Sequence, residues 1–436
     1  MTKPSFDLSS VPKDWSVFRC GSFFSEQSIK NTKGETNLSV YRDYGVIRTD
    51  SRDDNHNRIS EDITNYKLVK PGNLVLNKMK GWQGSLGISE LRGIVSPSYT
   101  VMKPIKVIHN KYFHYLLRSE TYRQIYDSLS HGVRIGQWEL RYHDFKKISL
   151  LYPPLEEQKT ISNYLDKKTE QIDSIIEKIK KNIELLKEQL TSLINVCVTR
   201  GLNSSVVLRD SEIQWIGKIP KNWKTIPNKY IFLEYFGGSW GLDPEDNQKE
   251  NLVRVIRVTE FNMETLCISA NIPTIRSLKL EKNSKKYIKK NDLILEKSGG
   301  GEKTPVGRVV LVDKVLPYST INSNFTNICR PNLNIVHPRF VVFSLCSKYN
   351  DGQTKRNIKQ TTGIQNLDLD GFMSEIFVLP PIDEQIKISD YLDNKQNKTN
   401  DKIAKLDLKM KLLKEYRQSL ISSLVLGKFR LTEKII

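Results

Sequence analysis

One stretch of this chain occurs twice. Pro153-Pro154-Leu155-Glu156-Glu157-Gln158 returns as Pro380-Pro381-Ile382-Asp383-Glu384-Gln385, an offset of 380 − 153 = 227 positions. The offset persists downstream. Ile161 falls on Ile388, Tyr164-Leu165-Asp166 on Tyr391-Leu392-Asp393, and Lys168 on Lys395. Leu185-Leu186-Lys187-Glu188 falls on Leu412-Leu413-Lys414-Glu415, and Leu193-Ile194 on Leu420-Ile421. Such a repeat indicates a duplication, and each copy has to be a structural unit built on the same frame.

Each copy opens a long helix. The proline pair punctuates strand and helix, and the acids behind it favour a positive helix N-terminus. After Glu156 few breakers occur until Arg200-Gly201, where Gly201 takes the terminating position. Ile172, Ile179, Leu186 and Leu193 are spaced by seven, as are Ile176, Ile183, Leu190 and Cys197, which together make a coiled-coil seam. In the second copy the seam comprises Leu392, Thr399, Ile403, Leu406, Met410, Leu413, Leu420 and Leu424, with Arg417 standing where the first has Leu190. Some 40 helical residues make a rod of roughly 60 Å. Neither rod can leave its apolar stripe in water, so the cheapest arrangement pairs the two.

The segments before each rod also correspond. Val11-Pro12-Lys13-Asp14-Trp15 matches Ile219-Pro220-Lys221-Asn222-Trp223, and Asn73-Leu74-Val75-Leu76 matches Asp292-Leu293-Ile294-Leu295. A glycine-rich basic loop follows each of these strands. Asp50–Arg58 reads as a surface loop, and Tyr112 to Tyr126 as a helix. The expected fold is therefore α+β: two similar mixed globular domains, residues 1–152 and 204–379. Two long antiparallel coiled-coil helices, 153–203 and 380–436, separate them in a pseudo-twofold repeat.

The net charge of +19 points to a polyanionic partner, nucleic acid before membrane surface, although a generic protein of an AT-rich genome, where lysine is common, would also carry it. Five scattered cysteines form no C-x-x-C pair, and the six histidines show no metal spacing, so reduced thiols, no metal and no cofactor are expected. His109 and His114 read as surface residues. Met1 to Asp7 has no apolar signal core, and no run is long enough to span a membrane. A cytoplasmic location follows as an expectation.

Catalytic motifs fail on inspection. A phosphate loop needs glycine immediately before Lys303 and again five residues earlier, where Glu302 and Lys297 stand. Tyr152-Pro153-Pro154-Leu155 lacks the first amide or carboxylate and the last aromatic residue of an amino-methyltransferase tetrapeptide.

Binding chemistry is better supplied. Lys78, Lys80, Trp82, Gln83 and Ser85 share one loop, and Lys297, Ser298, Lys303, Thr304 and Arg308 its counterpart. Arg134, Gln137, Trp138 and Arg141 precede the first rod. Lys359, Gln360, Thr361, Thr362, Gln365 and Asn366 precede the second. These side-chain types hold phosphates and read base edges, although a solvated surface accounts for any one of them taken singly.

The duplicated Pro-Pro-Leu/Ile-x-Glu-Gln, the following Ile and Tyr-Leu-Asp, and the paired Pro-x-x-Trp resemble the specificity subunit of type I restriction-modification systems over nearly the whole chain. The resemblance implies two target recognition domains, each reading half of a split, asymmetric double-stranded DNA sequence, with the helices setting the unread spacer. It implies no catalysis by this chain. Two methyltransferase subunits would use S-adenosylmethionine, and restriction subunits would use ATP and Mg. A stand-alone DNA-modifying enzyme and a coiled-coil protein scaffold are the alternatives.

Overall fold

The computed structural model describes residues 11–30, 34–42, 44–51, 62–132, 138–245, 250–360 and 363–431. Met1–Ser10, positions 52–58 of the polar loop, Arg134, Gln137, Thr361 and Thr362 lie outside the described residues. The chain divides into two compact units, Met1–Ile179 with Leu408–Ile436, and Lys180–Asp407. This division cuts through both long helices and differs from the expected boundaries at 152, 203 and 379. The reason is packing: each helix buries its two ends in different cores.

In the first unit a four-stranded antiparallel sheet has the order Phe24–Gln27, Tyr99–Pro104, Leu74–Asn77, Leu86–Ile88. Alternate residues of its central strand serve two cores. Leu74 and Leu76 face a large core with Phe113, Leu116 and Tyr126, whereas Val75 joins Val69, Val95 and Val101. Leu74, Val75 and Leu76 are all fully buried, which explains a strand of consecutive apolar residues. The segment expected as one helix is two, α1 (Asn110–Arg118) and α2 (Glu120–Leu129). Ser119 between them is extended, and the Tyr126 hydroxyl donates to the Leu117 carbonyl across the break, 2.8 Å. A third short helix, α3, spans Tyr142–Phe145.

The second unit repeats this plan. Its sheet runs Phe232–Gly237, Thr326–Pro331, Leu293–Glu296, Val309–Leu311, then two further short strands. Leu293 and Leu295 face the core that holds Phe340 and Phe343, while Ile294 faces Val310 and Ile328. The next two helices in the chain are α5 (Pro338–Asn350) and α6 (Leu369–Ser374).

The long helices are α4 (Leu155–Arg200) and α7 (Ile382–Val425). In the first unit Ile161 and Leu165 of α4 share a core with Ile421, Leu424 and Val425 of α7. Asp173, further along α4, pairs with Arg417, earlier in α7, at 3.1 Å, so these segments run antiparallel. That pair is largely exposed and contributes little stability. In the second unit Ile194, Cys197 and Val198 of α4 pack with Ile388 and Leu392 of α7. Along the seam Ile172, Ile176, Ile179, Ile183 and Leu424 are buried. Leu186, Leu190, Leu193, Ile403, Leu406, Met410, Leu413 and Leu420 are half-buried. Off the seam, Ile175, Leu185, Leu408, Leu412 and Tyr416 are exposed.

The repeated hexapeptide acts as a clasp. Glu157 accepts the Trp15 indole N–H at 2.9 Å, and Glu384 accepts that of Trp223 at 2.9 Å. The fully buried Gln158 accepts from the His109 backbone N–H at 2.9 Å and donates to the Pro153 carbonyl at 2.8 Å. Gln385 does the same with His337 and Pro380, both at 2.8 Å. The histidine rings bond Ser162 at 3.0 Å and Ser389 at 3.2 Å. Each acid and amide therefore ties a globular domain to its long helix, a role beyond favouring the helix N-terminus. Just beyond each helix stands a glycine of positive φ that is packed too closely against the opposite domain to carry a side chain. A Cβ on Gly201 would lie 2.8 Å from a Glu384 carboxylate oxygen and 3.2 Å from the Trp223 ring. One on Gly427 would lie 2.5 Å from Pro12 and 3.2 Å from Trp15.

His114, expected at the surface, is largely enclosed: Gly45 and Gly87 pack on its ring, and its Nε2 lies 2.9 Å from Arg118 Nη1. Burial first, and the Arg118 charge second, push its pKa down to about 4. The unfolded chain, with histidine near 6.5, then binds a proton that the folded chain refuses. Stability should fall as pH drops from 6.5 towards 4, by about 2 kcal/mol for this residue at pH 4.5. Denaturant titrations at pH 7.5 and 4.5 should show that loss in the first unit, and His114→Gln should remove most of it.

Among the described residues no helix is long and apolar enough to cross a membrane. The five cysteines are unpaired, and burial pushes the Cys346 thiol up to about 12.

Candidate nucleic-acid interface

Both units bring their two polar segments side by side, using equivalent backbone bonds. In the first, the Leu140 N–H donates to the Lys78 carbonyl at 3.0 Å. In the second, the Leu367 N–H donates to the Lys297 carbonyl at 2.7 Å. The loop after each central strand thus lies against the segment that precedes α3 or α6.

The first loop is not irregular. Lys78–Gln83 form a 3₁₀ helix because the Asn77 side chain accepts from the Met79 and Lys80 N–H groups at 3.1 and 3.3 Å. Gly84, at φ 86°, then turns the chain into the next strand. Lys80 is exposed, Lys78, Trp82 and Gln83 are half-buried, and Trp82 meets Trp138 edge-on at 5.2 Å between ring centres. Arg141 is exposed and pairs with Glu139 at 3.2 Å. Ser85, expected as a contact, is 3% exposed and cannot reach DNA. It faces inward because it sits in the ladder, accepting the Asn77 N–H on its carbonyl.

The second loop, from Lys297 to Arg308, lies beside a hairpin of Ile358–Gln360 and Gln365–Leu367. The Gly299 N–H donates to the Gln365 carbonyl at 3.0 Å, and the Ser298 hydroxyl lies 2.5 Å from the Asn366 amide oxygen. Gln365 is buried and accepts the Val306 N–H, so it holds the loop and is not available to a ligand. Lys303, Thr304, Lys359 and Gln360 are exposed; Lys359 pairs with Asp368 at 2.7 Å.

A cavity of about 430 Å³ opens beside this loop, lined by Trp240, Arg257, Glu296, Ser298, Arg308 and Phe325 among others. The Arg308 Nε and Nη2 each lie 2.8 Å from a Glu296 oxygen. The Arg257 Nη2 lies 2.9 Å from Glu260, which also accepts the Arg257 backbone N–H. The Arg276 guanidinium stacks over Trp240 at 4.3 Å. Of this group only Ser298 and Arg308 are among the contacts expected from the sequence. Of the rest, Glu296 alone carries a signal: it closes the apolar strand Leu293-Ile294-Leu295 at a buried position, and a buried acid needs a cationic partner. Arg257, Trp240 and Phe325 come from distant segments that only the fold brings together.

A protein-family model described as "Type I restriction modification DNA specificity domain" matches residues 12–185 and 220–409. The MjaVIII type I restriction enzyme specificity subunit of Methanocaldococcus jannaschii is 25% identical over 222 residues, 51% of this chain and 50% of the relative. The StySPI specificity subunit of Salmonella potsdam is 25% identical over 292 residues, 66% of this chain and 58% of the relative. The chain thus spans half to three-fifths of the length of these curated relatives. Among solved structures, a chain from a study of complex assembly and conformational transition of the type I R-M system superposes with a TM-score of 0.69. It has 14% identity and covers 96% of this chain and 99% of that one. The HsdS subunit from Thermoanaerobacter tengcongensis gives 0.53 and 15%, covering 98% and 100%. At these identities the structures show that the fold is shared.

Proposed function

Because this chain belongs to the type I restriction-modification DNA specificity domain family, we propose that it is the DNA-reading subunit of such a system. Each repeat reads one half of a bipartite, asymmetric duplex target, and the chain brings methyltransferase and restriction subunits to it. The observation that carries this reading is one frame with two sets of side chains. Equivalent backbone bonds, Asn77 N–H to Ser85 and Glu296 N–H to Arg308, hold the two loops in the same place. Yet Asn77 and Ser85 occupy the positions where the other repeat has Glu296 and Arg308. Shared scaffolds with divergent loops suit two readers of different sequences.

The contacts to DNA are assigned to Lys78, Lys80, Trp82, Gln83 and Arg141 in the first repeat. In the second they are Lys297, Ser298, Lys303, Thr304, Arg308, Lys359 and Gln360. Arg134, Gln137 and Thr361 belong to the same segments. The chain itself is non-catalytic, with S-adenosylmethionine used by the methyltransferases and ATP and Mg by the restriction subunits. Leu185 and Leu412 support two equivalent partner docks: they match across the repeat and both are exposed on the long helices.

Sequencing methylated bases in cells with and without this gene tests the proposal. One split, asymmetric motif should lose methylation when the gene is removed. An unchanged methylome, or methyl transfer by the purified chain alone, would refute it.

A further inference from the structure

We propose that Arg257 and Arg308 are guanine readers of the second repeat, each offering the outer edge of a carboxylate-clamped guanidinium to O6 and N7 of a guanine in the major groove. The inference rests on the DNA-reading function proposed above and adds a base identity to it.

The two arginines come from different parts of the fold, Arg257 before the 3₁₀ turn Val258–Glu260 and Arg308 before the strand Val309–Leu311. Both line the same cavity. Each spends the same side of its fork on a carboxylate. Arg308 gives Nε and Nη2 to Glu296, and Arg257 gives Nη2 at 2.9 Å and Nε at 3.4 Å to Glu260. The carboxylates are deep, with side chains 2% and 5% exposed, while the arginines keep 21% and 39%. Among the described residues neither Nη1 has a hydrogen-bond partner. The Nη1–Nη2 edge of each fork is therefore held in one direction with donors to spare.

Charge separates a base from a phosphate as the ligand. Two arginines and two glutamates cancel, so this group supplies little of the net positive field that holds a phosphate backbone. What it keeps is directional donors. Guanine presents two acceptors, N7 and O6, on one edge, and the outer edge of an arginine matches them; adenine presents an acceptor and a donor and does not. Fixing the fork beforehand removes the ordering cost of a long side chain. The first repeat has Asn77 and Ser85 at the Glu296 and Arg308 positions, so the Arg308 reading belongs to one half-site only.

The test selects randomised duplex DNA on the full chain co-purified with its methyltransferase partner. The wild type should enrich a split motif with guanines in one half. Arg308→Ala should relax the preference at one of these guanines by about 5- to 150-fold, Arg257→Ala at another, and both should leave the other half intact. Wild-type protein on duplexes carrying 7-deazaguanine at the same positions should weaken similarly, a readout that no folding defect can mimic. Variants that bind all sequences more weakly with a shallower salt dependence would show phosphate holders and overturn the inference. So would unchanged preferences in both variants. A wild type that enriches no motif would overturn the DNA-reading function itself, and this inference with it.

Discussion

Deleting residues 408–436 should unfold the first unit and leave the second intact. The deleted segment supplies Ile421, Leu424, Val425 and Leu426 to the core around Trp15, Tyr112 and Phe113. Burying each such side chain contributes about 1.5–3 kcal/mol, so the four together are worth roughly 6–12 kcal/mol. A whole domain holds about 5–15 kcal/mol in reserve. The deletion also strips the Tyr112 hydroxyl of its acceptor, the Val425 carbonyl at 3.0 Å, and removes Arg430. Arg430 joins Asp14 at 2.7 Å and Glu157 at 2.9 Å, fastening the end of the chain to its beginning. The second unit, Lys180–Asp407, keeps every residue. Limited proteolysis should yield a resistant fragment from the second half only, and thermal unfolding should lose one transition. Two resistant halves would mean that the α7 segment is dispensable to the first core.

Trp223→Ala should cost the second unit about 3–5 kcal/mol, as truncation of a large buried aromatic does. Trp223 is 2% exposed and closes the core next to Ile219 and Ile388, with its indole N–H on Glu384. Trp223→Phe separates the two contributions. It retains most of the buried ring and loses the hydrogen bond to a carboxylate, so about 1.5–3 kcal/mol should be lost. Denaturant midpoints of the second unit for the three proteins read both numbers. Equal stability of the wild type and Trp223→Phe would mean that the clasp on Glu384 is ornamental.

The sequence carried the repeat, and the repeat carried much of the fold. The helices begin at the residue that follows each proline pair, and α4 ends at Arg200, because prolines, acids and a terminating glycine are local signals. The central strands Leu74–Asn77 and Leu293–Glu296 were equally visible as apolar runs after a turn. Packing across distance was not visible. Nothing near Glu157 in the chain announces that Trp15 lies against it, yet the recurrence of both Pro-x-x-Trp and Glu-Gln hinted that the two motifs meet. The break at Ser119 was hidden because both flanking segments are good amphipathic helix. Ser85 is buried because the whole run from Gly84 to Ile88 is covered on both sides, which its polar side chain does not announce. The candidate site was half legible. Exposed basic loops show in composition, whereas the Arg257–Glu260 and Arg308–Glu296 pairs depend on a cavity that the tertiary fold creates.

The ownership of the α7 end has a consequence for the order of events during synthesis. The first unit's sheet and its α1 leave the ribosome early, but the α7 residues that cap this core come about 246 residues after Ile179, counting to Val425. At about 5–20 residues per second that is a wait of roughly 12–50 s. Throughout it, the apolar surface of Tyr112, Leu116, Ile161 and Leu165 has no partner from α7. The second unit, contiguous in sequence, can close first. A nascent chain held with residues up to 407 outside the ribosome and those from 408 onward still inside it should therefore carry a folded second half and an unfinished first half, and the need for chaperones should centre on the part made earliest.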